Sequence, residues 1–142
     1  MLPFTTYQNA ALLLLRLMIA VSFLHAGYGK LFLWSADPAT MGMSVPMWYL
    51  MLFLSIAEPI GAIAILLGFL TRTVGTCYAI IMIGALWVMG YSYGTPFFTL
   101  PQAPGLDFNA HLLVESLILS AFGAGHWAID TVWKKKIVVV KA

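Results

Sequence analysis

The sequence predicts an all-α integral membrane protein, a single domain (1–142) of four transmembrane helices running up-down-up-down. Three observations carry this. The 142 residues are 62% hydrophobic and 8% charged, where soluble domains run near half apolar and a quarter charged. Four apolar runs, 10–34, 47–70, 73–93 and 108–127, each supply the roughly 20 residues that cross a hydrocarbon core of about 30 Å. The segments between them collect the turn formers: Asp37, Pro38 and Pro46 in 35–46, and Pro96, Pro101, Pro104 and Gly105 in 94–107.

The first run, 10–34, reads as a mature span. The first fifteen residues lack any basic side chain, and a secretory leader begins with a basic region followed by a shorter apolar stretch. The second and third runs are separated by little more than Thr71 and Arg72, which forces a tight antiparallel hairpin. The fourth run, 108–127, is followed by a basic tail, 128–142, holding Lys134, Lys135, Lys136 and Lys141. Neither long loop contains Lys or Arg, whereas Arg72 and the lysine cluster share the other side, so both termini are expected in the cytoplasm of a bacterial inner membrane. Trp34, Trp48, Tyr49, Trp87, Tyr91 and Tyr93 are expected to border one surface, with Trp127 and Trp133 at the other, as an aromatic belt.

The net charge of +2 and the position of the lysines point to lipid headgroups rather than nucleic acid. One cysteine, Cys77, excludes an internal disulfide, and it reads as an inert buried thiol near the start of helix three. No internal repeat is evident. Glycines at 27, 29, 61, 68, 75, 84, 123 and 125 read as close-packing positions, since small residues let helices approach where lipid removes the hydrophobic drive. Such packing also permits a homo-oligomer.

Against this apolar background the ionisable residues stand out. A carboxylate near the middle of a bilayer costs about 3 kcal/mol or more unless paired, so Glu58 and Glu115 are functional candidates. On helix one, 100° per residue puts Arg16 and Lys30 within about 40° of each other, with His25 roughly opposite. Arg16 reads as the partner of Glu58, a buried pair fixing helix one against helix two. Lys30 is expected to snorkel to the membrane surface, and Arg72 to anchor the short turn. By the helical rise, His25 and Glu115 sit at about the same depth. His111 precedes Glu115 by four residues, one turn apart on one face. Together with Glu58 these outline a polar pocket for ligand binding or proton transfer. His111, Glu115 and His25 are weak metal ligands in type and spacing, without a second i,i+4 pair, so no metal is expected.

Four stretches, taken together, resemble the DoxX family of small four-helix bacterial inner-membrane proteins. They are Arg16-Leu17 with Phe23-Leu24-His25-Ala26-Gly27-Tyr28-Gly29-Lys30-Leu31; Glu58-Pro59-Ile60-Gly61; Leu66-Leu67-Gly68-Phe69-Leu70-Thr71-Arg72; and Gly123-Ala124-Gly125-His126-Trp127-Ala128-Ile129-Asp130. The resemblance implies that Arg16, Lys30, Glu58 and Arg72 are recurring intramembrane polar positions. It also implies links to quinone-coupled oxidation, as in the small membrane subunits of thiosulfate:quinone oxidoreductase. The family's usual Ser-Leu-Asp after the glycines is Ala128-Ile129-Asp130 here, so the glycines and Asp130 carry over.

The leading functional expectation is a membrane subunit of a redox system that binds a quinone or similar amphiphile in the bundle. Proton-transfer groups accompany quinone chemistry, and His beside carboxylate suits that task. The chain carries no haem, flavin or iron–sulfur motif, so electrons would come from a redox partner protein. The alternative is a scaffold or chaperone-like subunit docking a partner through 35–46 and 94–107. A small proton-linked transporter comes third, because four helices without inverted repeats leave little room for alternating access.

Overall fold

The computed structural model describes residues 5–103 and 105–132. Among these the regular elements are all helical, without strands. Trp133 and the lysine-bearing tail lie outside the described residues.

Helix α1 spans Thr6–Lys30 and continues as a 3-10 turn, Leu31–Ser35. It begins four residues before the apolar run because Thr5 and Gln8 form a capping box: the Gln8 amide donates to Thr5 Oγ1, and the Thr5 amide to Gln8 Oε1. Helix α2 spans Val45–Leu67, with Pro46 in its first turn, where a missing N–H costs nothing. It stops at Gly68, whose φ of 69° reverses the chain in the left-handed region that glycine adopts freely.

Helix α3 spans Thr71–Trp87 and loosens into a π-helical segment, Val88–Ser92. Thr71 and Arg72, read from sequence as the joint, are its first turn, and the joint itself is Gly68–Leu70. Helix α4 spans Asp107–Phe122. The first three helical stretches are long and apolar enough to cross a membrane. The fourth, at 16 residues, rises only about 24 Å. It ends five residues before the expected boundary because Gly123 leaves helical geometry at φ 79°, ψ −163°. Residues 123–128 then cross the end of the bundle, and helical conformation resumes at 129–132.

The bundle thus has a loop end, holding 36–44 and 93–106, and a terminal end, holding Thr5, the Gly68–Leu70 turn and 123–132. Packing is most extensive within two pairs, α1 with α2 and α3 with α4. Phe23, Ile19, Ala62, Ile65, Tyr78 and Leu119 join the pairs in one core. The stacking of Phe23 on Tyr78, centroids 3.6 Å apart, is the central bridge. Of the expected aromatic belt, Trp34, Tyr49, Trp87, Tyr91, Tyr93 and Trp127 are exposed, whereas Trp48 is buried.

Candidate functional site

A side chain on an α-helix leans toward the helix N-terminus. For Lys30, the last residue of α1, that direction runs back into the bundle. Its ammonium donates to the Ala26 carbonyl at 3.2 Å and to Glu58 Oε2 at 2.5 Å. The expected snorkelling therefore does not occur: Lys30 keeps 22% side-chain exposure and Glu58 2%, and the pair ties α1 to α2.

The same lean takes Arg16 away from Glu58, toward the terminal end. Its Nε donates to the Ile65 carbonyl and Nη2 to Leu66, at 2.9 and 2.5 Å. Nη1 reaches Ala124 and Trp127, at 3.1 and 2.7 Å. The Arg16–Glu58 pair expected from sequence is replaced by Lys30–Glu58 and by a guanidinium clasp on carbonyls. Ile65 and Leu66 belong to the last turn of α2, where carbonyls with spare capacity attract a cation; the Ile65 carbonyl also accepts from the capping Gly68 amide at 3.0 Å. Asp130 completes the clasp from the other side. Its carboxylate accepts from the amides of Leu70 and Thr71 at 2.8 and 3.0 Å, at the start of α3, and its own amide donates to Gly68 O. Leu70, held there at φ 49°, is the strained residue that this carboxylate secures. Arg72, in the first turn of α3, lies exposed against Gly123.

Around Glu58 the fold assembles groups that no spacing argument singled out. The Tyr78 hydroxyl donates to the Glu58 carbonyl at 2.5 Å. One turn toward the loop end, Ser55 accepts from the Trp34 indole at 3.0 Å. Pro59 presses its ring on α1 where Gly27 leaves no side chain, and a Cβ on Gly27 would overlap it. The only sequence hint of Tyr78 is its place in the i, i+3, i+4 stripe Gly75, Tyr78, Ala79, Met82, the buried face of α3. The glycines themselves divide by context. Gly27, Gly61, Gly68 and Gly75 meet neighbouring helices or segments closely; Gly29 and Gly84 have nothing within 4 Å.

His25 on α1 and His111 on α4 are exposed, and Glu115 is half-buried. His111 and Glu115 lie one turn apart on α4. The structure does not bring His25 to them as a ligand set: among the described residues no three His, Cys, Asp or Glu side chains come together to hold a metal. Cys77, expected to be buried, is exposed on α3. Two buried hydroxyls, Thr71 Oγ1 and Ser116 Oγ, have no hydrogen-bond partner among the described residues.

Comparison with known proteins places the chain in a family. The family described as DoxX matches residues 11–90, a segment containing Arg16, Lys30, Glu58, Arg72 and Tyr78 but not Glu115 or Asp130. The Inner membrane protein YqjF of Escherichia coli (strain K12) is 31% identical over 136 residues, covering 91% of this chain and 96% of that protein. No solved structure matches the chain. With more than half its length matched by the family and nearly all of it aligned to that relative, the chain belongs to the DoxX family, as a multi-pass inner-membrane protein.

Proposed function

We propose that this protein is a membrane subunit of a quinone-linked redox system, with the Lys30–Glu58 pair forming the polar end of a site for a quinone or a similar amphiphile. One observation supports this reading above others: the pair sits inside the apolar bundle with hydrogen-bonding capacity to spare. Glu58 Oε2 is held by Lys30, while Oε1 receives no hydrogen bond from another described residue. Lys30 uses two of its three N–H directions. A quinone carbonyl can accept from the third, and a quinol hydroxyl can donate to the carboxylate. Quinone reduction takes up protons together with electrons, and the carboxylate is the group suited to pass them. Electrons come from a partner protein, since the sequence holds no haem, flavin or iron–sulfur motif. Glu115, His111 and His25 are the further proton-transfer groups of this reading, and Arg16 is assigned to the clasp.

Saturable binding of a short-chain quinone to the protein in lipid nanodiscs, read by quenching of Trp fluorescence, tests it. Read with the quinol form, whose hydroxyl donates to the carboxylate, Glu58→Gln loses one charge-assisted hydrogen bond, about 1.5 kcal/mol or more, and binding weakens at least about tenfold. Thermal unfolding run alongside separates lost binding from lost fold. Lys30→Met with Glu58→Leu removes both charges and should regain much of the stability that either single change loses, while binding stays lost. A wild-type protein with no saturable binding of quinone or quinol, or a Glu58→Gln variant that binds the quinol equally well, overturns the proposal. Glu115→Gln in the same assay reports whether the α4 acid takes part.

A further inference from the structure

The segment between the π-helical turn and α4 is closed upon itself. Leu106 N donates to Pro96 O at 3.0 Å and Asp107 N to Phe97 O at 2.8 Å, while Leu100 and Ala103 exchange amide bonds of 2.9 and 3.2 Å. Asp107 locks this loop with both oxygens: Oδ1 accepts from the Thr99 hydroxyl at 2.7 Å and from Phe108 N at 3.0 Å, and Oδ2 from Thr99 N at 3.1 Å. The Thr99 hydroxyl in turn accepts from Gly105 N. At Gly105 a Cβ would collide with the backbone of Phe98 and Thr99, so the two limbs touch. A loop that pairs much of its polar main chain internally, here the amides of Thr99, Leu100, Ala103, Gly105, Leu106 and Asp107, better tolerates surroundings poor in water.

What this rigid frame displays is apolar. Phe97, Phe98 and Leu100 are 53%, 70% and 54% exposed, with the two rings edge to face at 5.0 Å. No Asp, Glu, Lys or Arg occurs from 73 to 106. The display continues without a charged break into Trp87, Tyr91 and Tyr93, exposed on the α3 side, the aromatic types that settle at headgroup level. The other loop, 36–44, differs: its Asp37 carboxylate and main-chain carbonyl bind the Ala39 amide and Thr40 hydroxyl, and it holds no Phe, Tyr or Trp.

We infer that the 96–106 loop is a membrane-docking element: it lies in the interfacial layer of the bilayer at the loop end of the bundle, with Phe97, Phe98 and Leu100 inserted among the lipids. The occupant of this surface is lipid, because it is continuous with the lipid-facing aromatics of α3 and offers no charge to a polar partner. The inference does not depend on quinone binding.

A nitroxide at position 98, in Phe98→Cys made on Cys77→Ser, reads the outcome by collision with oxygen and with a water-soluble nickel chelate, in vesicles of phosphatidylcholine and phosphatidylglycerol. The label should collide preferentially with oxygen, at a depth of about 5–10 Å below the headgroups. Thr40→Cys in the same background should favour nickel. Leu100→Cys gives a second position should Phe98→Cys fail to fold. Nickel access at 98 or 100 equal to that at 40 overturns the inference in favour of an aqueous loop. A label immobilised and shielded from both reagents overturns it in favour of a protein partner or a second copy.

Discussion

Arg16 makes four hydrogen bonds to main-chain carbonyls drawn from α2 and from the 124–127 segment. The planar fork of a guanidinium can serve carbonyls on several sides at once, and a lysine ammonium cannot. Arg16→Lys should therefore lower stability by about 2–3 kcal/mol, by leaving buried carbonyls unpaired. Thermal unfolding in detergent with quinone absent checks this, and an unchanged midpoint would contradict the clasp. Charge was legible in the sequence at Arg16, Lys30 and Glu58, since each is an anomaly in an apolar run. The pairing was not. Both cations lie on one side of α1, and only the lean of helical side chains toward the N-terminus, set against where α2 ends, sends Arg16 to carbonyls and Lys30 to the acid.

At the scale of elements, α1 offers a paired comparison. Gly27 abuts the Pro59 ring and Gly29 faces open space. Gly27→Ala should cost about 1–3 kcal/mol by overpacking, whereas Gly29→Ala should be neutral or add up to about 1 kcal/mol through helix propensity. Equal effects in a chemical-denaturation series would show that the α1–α2 contact is not where it is drawn. The loop before α4 carries a pH signature. The Thr99 hydroxyl, then the amides of Thr99 and Phe108, hold the Asp107 carboxyl below its ordinary value. A depressed carboxyl stabilises the folded loop above its unfolded pKa, near 3.9, and that contribution fades as pH falls through the lower folded value. Loop mobility read from a label at position 98 should rise below about pH 4, and Asp107→Asn should remove the step. The apolar runs marked all four helices, yet their ends moved. Thr5 and Gln8 extend α1 through a capping box, while Gly68 and Gly123 stop α2 and α4 before the apolar residues run out.

For the molecule as a whole, the absence of Lys and Arg from both long loops argues for cytoplasmic termini. A fluorescent protein fused to the C-terminus should then fluoresce, and alkaline phosphatase inserted at position 40 should be active; the reverse pair of results inverts the topology. Composition and hydrophobic run length by themselves determined the class, the number of helices and the rare ionisable groups, because crossing a bilayer demands long apolar stretches and makes every charge costly. Tertiary structure alone decided which groups meet. Lys30 with Glu58, Tyr78 over the Glu58 carbonyl, and Asp130 at the start of α3 each join residues at least 20 positions apart. Their contact depends on how far each helix extends, where it stops and which way its side chains lean, and those quantities exist only once the helices have packed.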